Sequence, residues 1–295
     1  PFAPGDVELQ PFREDSPSTR NTTTQYYASI AEGEREFAAL LEHLETTGLA
    51  DSTIVIYSSD HGVFRGKFTI YDSGLNVPFM VRWPGKINPG RTDALISFTD
   101  FLPTVMELAG ADAPDGIDGR SLLPVLVDHT RSHHEFVYGM THNQGIQQRH
   151  VFPQRSVRDN RYHYMVNFNS LERLENNPPK DPAAAYFLQR GAGKHPNQPE
   201  EELYDTLKDP HELKNLAANP EMAAIKARLR KQLFGWMREQ KDYLSEDGGI
   251  QFLKPKMHRL DQPDKRFNYE VPDAFVDALD GKLLDPHKIT DQMRR

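Results

Sequence analysis

Apolar residues recur at helical spacing between Thr24 and Leu44, where Ile30, Phe37, Leu40, Leu41 and Leu44 share one face. Thr22 to Thr24 offer caps at its start and Gly48 a stop at its end. The connection Leu49-Ala50-Asp51-Ser52 then feeds an unbroken apolar, β-branched run from Thr53 to Ser58, which halts at Ser59-Asp60-His61-Gly62. Such a run predicts a fully buried strand of a parallel sheet, and helix followed by strand is half of an α/β repeat. A second buried strand is predicted over Phe79–Trp83, ended by Pro84-Gly85. After it, Thr99 or Asp100 caps a helix through Phe101, Leu102, Val105, Met106 and Leu108, with Pro103 in the first turn and Gly110 as stop.

The pattern changes after about Arg131. Phe136–Met140, Arg155–Val157 and Tyr162–Phe168 alternate or run as short strands, which predicts a small antiparallel sheet. Between Glu175 and Glu202 the chain is rich in Asn, Pro, Lys and Gly, as a long loop would be. A helix follows from about Pro220 to Gln240, with Met222, Ile225, Leu229, Leu233, Trp236 and Met237 on one face. The expected organisation is therefore three parts: an α/β portion over 1–130, a sheet-plus-helix subdomain over 131–243, and an extended tail over 244–295. The tail would lie along the surface or a partner subunit, where it offers a route to a homo-oligomer.

Composition narrows the function classes. The 295 residues carry a net charge of -8, with 37% hydrophobic and 26% charged residues, and no basic block of the kind that grips nucleic acid. No stretch approaches the length of a membrane span. There is no cysteine, so no disulfide braces the chain, and its compartment stays open. The chain starts at Pro1 without a leading strand, which reads as the C-terminal portion of a longer enzyme.

Open α/β sheets bind ligands beyond the carboxyl ends of their strands, so Asp60, His61 and Lys67 stand where chemistry is expected. Ser59-Asp60-His61-Gly62, Gly66-Lys67 and Val77-Pro78-Phe79-Met80-Val81-Arg82-Trp83-Pro84-Gly85 resemble the second signature region of the sulfatases in the alkaline-phosphatase superfamily. Further pieces resemble the N-sulfoglucosamine sulfohydrolase (heparan N-sulfatase) branch of that family: Thr141-His142, Pro153-Gln154-Arg155-Ser156-Val157, and Leu203-Tyr204-Asp205 with Asp209-Pro210 and Asn215-Leu216-Ala217. The resemblance implies the C-terminal part of an alkaline-phosphatase-like sheet sandwiched by helices, joined to a smaller α+β subdomain. It implies a hydrolase of sulfuric esters or sulfamates on sulfated glycans, exported to periplasm, lysosome or medium. The family's nucleophile is formylglycine, made from Cys-x-Pro-Ser-Arg. That motif is not in this chain, so the nucleophile and two more metal carboxylates would come from a missing N-terminal portion. Asp15-Ser16-Pro17-Ser18-Thr19-Arg20 has one residue too many between Pro and Arg and precedes a helix.

The same resemblance gives the residues their roles, each beside a plainer reading. Asp60 and His61 would hold a divalent cation: Ca²⁺ by the carboxylate, Mn²⁺ or Zn²⁺ as alternatives because many relatives carry Asn where His61 stands. Asp60 could instead be a turn acid. Lys67 would be the catalytic cation on a sulfate oxygen, or an exposed loop lysine. His142 and Arg155 would reach the sugar, or be a core histidine and a strand-surface arginine. His133 and His134 read as a solvated turn, and Arg20, Arg82 and Asp118 as structural. Asp-His-Gly is equally the metal-binding turn of superfamily phosphodiesterases and phosphonate hydrolases, so that activity is the alternative. A non-catalytic glycan-binding remnant is the third reading.

Overall fold

The computed structural model of the chain describes residues 2–62, 69–129, 132–143, 151–176, 189, 191–242 and 244. It divides into two units. One comprises Pro1–Val137, Arg158–His163 and Tyr204–Asn215; the other comprises Tyr138–Val157, Tyr164–Leu203 and Leu216–Arg295. Against the expected boundary at residue 130, the chain leaves the first unit at Val137 and returns to it twice.

The first unit opens with helix α1, Pro17–Thr46, which starts earlier than the apolar spacing suggested. The Ser16 hydroxyl accepts from the Thr19 N–H and Pro17 fills the first turn, a stronger start than the threonines offer. Thr22, Thr23 and Thr24 bond back to the carbonyls of Ser18, Thr19 and Arg20 at 2.8–2.9 Å, as threonines inside a helix do. Arg20 forks onto Asp15 at 2.6 and 2.7 Å, so the Asp15–Arg20 segment is a helix start locked by an ion pair.

Strand β1, Val55–Ser58, pairs with β2, Phe79–Arg82. Their direction corrects the parallel expectation: the pair is antiparallel, in the register Val55↔Arg82 to Ser58↔Phe79. Nor are they fully buried, since Met80 is 55% exposed. An apolar run records that a strand suits burial on two faces; it carries no information about the direction of its neighbour. Between them lies α2, Asp72–Leu75. After β2, a 3₁₀ turn over Phe98–Asp100 leads into α3, Phe101–Leu108, and α4 spans Leu123–Asp128. Asp100 is the N-cap of α3, as the spacing suggested, and its carboxylate accepts the Ser97 N–H at 2.8 Å in a capping box over the preceding 3₁₀ turn.

Asp100 also overturns the reading of His133 and His134 as a solvated turn. Their side chains are 7% and 15% exposed against its fully buried carboxylate, His134 Nε2 lying 2.9 Å from both oxygens. The Arg120 guanidinium can only donate, and it faces His134 Nδ1 at 2.8 Å, so the His134 proton sits on Nε2 and points at Asp100. Burial holds His133 below its ordinary pKa against the opposing pull of Asp100.

A four-stranded sheet follows, in the order β3 (Val137–Asn143), β4 (Val151–Arg158), β5 (Tyr162–Asn167), β6 (Glu201–Asp205). A turn of three residues joins β4 to β5, which fixes them antiparallel. In the second unit, α5 spans Leu171–Asn176 and α6 spans Ala223–Glu239. Phe152, Tyr164, Met165, Leu203, Leu229 and Leu233 are each fully enclosed there, worth about 1.5–3 kcal/mol apiece for the aliphatic and phenyl side chains. α6 stacks Trp236 on Tyr138 with centroids 4.4 Å apart and sets Phe234 edge-on to Phe168. Among the described residues no helix is long and apolar enough to cross a membrane.

One half-buried carboxylate in this unit gives a pH prediction. Glu201 contacts the Tyr164 hydroxyl and lies 2.9 Å from Lys226 Nζ. Desolvation works to raise its pKa, but the Tyr164 and Lys226 hydrogen bonds outweigh it and leave it lowered. A lowered folded-state pKa contributes stability above the unfolded value of about 4, lost as pH falls through the folded value. Chemical denaturation of Glu201→Gln is expected to show a shallower loss of stability between about pH 5 and pH 3 than the parent.

Candidate metal centre

Asp60, His61 and Gly62 form the turn at the carboxyl end of β1, the position the sequence assigned to chemistry. The Asp60 carboxylate is 84% exposed, and one oxygen accepts the His61 backbone N–H at 3.0 Å. Its other oxygen lies 3.5 Å from His61 Nε2. His61 Nδ1 is 2.7 Å from the Gly62 carbonyl, which can only accept, so Nδ1 carries a proton there. In a neutral ring Nε2 then presents a lone pair beside the carboxylate oxygen. Two donor atoms this close, one anionic, repel unless a cation or proton lies between them, and a carbonyl on the remote nitrogen is the usual orienting partner of a ligating imidazole. The pair therefore fits part of a divalent-cation shell. By itself it is too small for one, since Ca²⁺ takes six to eight oxygens and Zn²⁺ about four ligands.

The turn is backed closely. Gly62 N–H donates to the Gly74 carbonyl at 3.0 Å, and a Cβ on Gly62 would stand 1.7 Å from the Ser73 carbonyl oxygen. No side chain fits that approach without moving one backbone segment. Gly62→Ala is accordingly expected to weaken divalent-cation binding by on the order of tenfold while far-ultraviolet circular dichroism stays unchanged. Calorimetric titration with Ca²⁺ and Mn²⁺ measures it.

Lys67 and its neighbour Gly66 lie outside the described residues. His142 and Arg155 belong to the second unit. His142 is exposed; partial desolvation first, and then the Arg155 cation, hold its imidazole below the ordinary pKa, with Asp242 opposing. Arg155 departs from both of its readings. It is wholly buried, with Nε 2.5 Å and one terminal nitrogen 3.1 Å from the two oxygens of Asp242, and a third nitrogen 3.1 Å from the Thr141 carbonyl. Its fork is filled from within the protein, so a carboxylate or sulfate of a sugar has no face of it to meet. Sequence reading placed it correctly on a strand but could not see a partner 87 residues away.

Among the described residues, two other groups bring metal-type side chains together. Asp100, His133 and His134 are one, but the proton that Arg120 places on His134 Nε2 makes that nitrogen a donor. Asp72, His163 and Glu212 are the other, and there the Arg158 guanidinium already supplies a cation against Asp72. Both read as internal ion networks.

The profile of the Sulfatase family matches residues 3–111, and that of the N-sulphoglucosamine sulphohydrolase C-terminal region matches residues 59–185. An ulvan-active sulfatase of Formosa agariphila is 44% identical over 282 residues, covering 93% of this chain and 56% of that protein. A solved 2-O GAG sulfatase superposes with a TM-score of 0.58 at 29% identity, over 76% of this chain and 44% of the other. A phosphonate monoester hydrolase from Silicibacter pomeroyi shares the fold, with a TM-score of 0.58 at 23% identity over 85% of this chain and 49% of its own. The chain thus spans about half the length of the relatives it matches. Its mixed helices and sheets are the alkaline-phosphatase-like α/β fold of those structures, with a smaller antiparallel sheet. Two overlapping profiles, a relative aligned along nearly the whole of this chain and the fold around the Asp60 turn show that the chain belongs to the sulfatase family, with a C-terminal region of the N-sulphoglucosamine sulphohydrolase type.

Proposed function

We propose that this chain forms the metal and anion side of a hydrolase that cleaves sulfuric esters or sulfamates on sulfated glycans. The observation that carries the reading is the convergence of the Asp60 carboxylate and His61 Nε2 on a glycine turn at a strand end. The family, and relatives named for ulvan and GAG sulfates, supply the substrate class.

Asp60 and His61 would hold a divalent cation, which when bound supplies positive charge to a sulfuryl oxygen. The Asp60 carboxylate supplies anionic charge to the cation, and the Gly62 carbonyl keeps the His61 proton on Nδ1 so that Nε2 stays a donor of electrons. Lys67, five residues beyond Gly62, would hold a second sulfuryl oxygen by charge and stabilise the negative charge that grows on the leaving group. The nucleophile is proposed to come from outside these 295 residues, as formylglycine. In the second unit, exposed His142 is the residue proposed to contact the sugar, and buried Arg155 is proposed to be structural.

The test uses the full-length protein, treated with a chelator and reloaded with Ca²⁺, Mn²⁺ or Zn²⁺. Hydrolysis of a sulfated oligosaccharide that is lost on chelation and restored by one of these ions supports the reading. Metal-dependent cleavage of a phosphonate or phosphate diester in preference to sulfate would replace it with the phosphonate-hydrolase alternative. Glycan binding indifferent to chelation, with no turnover, would replace it with a binding remnant.

A further inference from the structure

Four ionisable side chains behind the Asp60 turn come from three separate stretches of the first unit and meet on one short helix. Glu212 accepts the Asp72 backbone N–H at 2.7 Å with one oxygen and faces His163 Nδ1 at 2.6 Å with the other. The Arg158 guanidinium contacts the Asp72 carboxylate, which also lies 3.9 Å from His163 Nδ1. Asp72, His163 and Glu212 are 9%, 1% and 2% exposed. Glu212 holds a left-handed backbone, φ 52, which a residue with a Cβ adopts only when its surroundings compel it.

All of these contacts bear on α2. A helix of four residues is too short to persist by its own hydrogen bonds, so its place depends on what grips it. Glu212 holds its first N–H and Arg158 its first side chain. One and two residues on, Ser73 and Gly74 present the carbonyls that Gly62 packs against and bonds. The path from Glu212 to Asp72 to Gly74 to Gly62 is unbroken within one unit, and Gly62 directly follows the two ligating residues.

We propose that Asp72, Arg158, His163 and Glu212 form a buried clasp that positions the Asp60–Gly62 turn, and with it the divalent-cation affinity of the site. These are positioning residues, which touch neither cation nor substrate. The inference rests on the metal reading of Asp60 and His61, but the clasp itself makes a claim about the turn that needs no metal. Glu212→Gln keeps the shape and replaces one acceptor by an amide donor, which must face the Asp72 N–H or the His163 N–H. Asp72→Asn, the second variant, removes the charge facing Arg158 and leaves the backbone bond to Glu212 in place.

The experiment is amide hydrogen exchange on the metal-free full-length protein, followed by Ca²⁺ and Mn²⁺ titration. Asp60→Ala serves as the reference for the metal reading, and Glu201→Gln as a control on a half-buried, ion-paired carboxylate in the other unit. Exchange at Gly62 and Gly74 is expected to quicken at least roughly tenfold in Glu212→Gln, less in Asp72→Asn and not in Glu201→Gln, with cation affinity falling about tenfold alongside. Faster exchange throughout the first unit alike, or unchanged exchange at Gly62 with unchanged affinity, overturns the clasp. Selective exchange at Gly62 together with an Asp60→Ala protein that binds cation normally supports the clasp and overturns the metal reading instead.

Discussion

Asp60→Ala is expected to abolish divalent-cation binding and with it turnover of the full-length enzyme, by about 10²-fold or more, while the metal-free protein unfolds within about 0.5 kcal/mol of the parent. The two halves of this expectation have separate causes. The carboxylate is 84% exposed and its recorded bond is to the N–H of its own neighbour, so the folded chain loses almost nothing without it. A cation that binds only the folded protein adds stability as RT ln(1 + [L]/Kd), about 2.7 kcal/mol at a hundredfold excess over Kd. The parent should therefore melt at a higher temperature in millimolar Ca²⁺ or Mn²⁺ than in chelator, and Asp60→Ala at the same temperature in both. An Asp60→Ala protein that keeps the metal-induced shift would show that Asp60 is the turn acid of the plainer reading. Calorimetric melts with and without cation decide between these.

Arg155→Met is expected to be the more damaging change to the fold, costing about 3–5 kcal/mol, because it strands the Asp242 carboxylate in a buried site. A sugar-binding arginine would behave otherwise: KM would rise and stability would stay near the parent's. Removing both members, as Arg155→Met with Asp242→Leu, should recover most of the loss, since a buried ion pair is worth little over a well-packed apolar pair. Denaturant midpoints for the single and double variants measure the coupling. If Arg155→Met unfolds like the parent and only KM moves, the ion pair does not hold in solution and the guanidinium does turn to substrate.

The contrast between these two residues shows what a sequence carries. The Asp60 turn was legible because its parts are contiguous: an apolar run, a stop at Asp-His-Gly, and a helix before it. Helices α1, α3 and α6 were legible for the same reason; Asp100 caps α3 as its spacing suggests, whereas α1 starts earlier, where Ser16 outcompetes the threonines. Strand direction was not, because the run Thr53–Ser58 reads alike beside a parallel or an antiparallel neighbour. Arg155, His133 and His134 were misplaced because burial of a charged side chain depends on a partner that local pattern does not name. For Arg155 that partner is Asp242, and for the histidines it is Asp100. Glu212 stands two residues after the family marker Asp209-Pro210; that it grips Asp72, 140 residues earlier, is visible only in the fold.

The most direct test of the account is a crystal structure of the full-length protein soaked in Mn²⁺, with the ion located by its anomalous signal. The account predicts one strong peak about 2.0–2.6 Å from an Asp60 carboxylate oxygen and from His61 Nε2, with the Gly62 carbonyl still on His61 Nδ1. A peak among Asp100, His133 and His134 or at Asp72, His163 and Glu212, with none at Asp60, would contradict it.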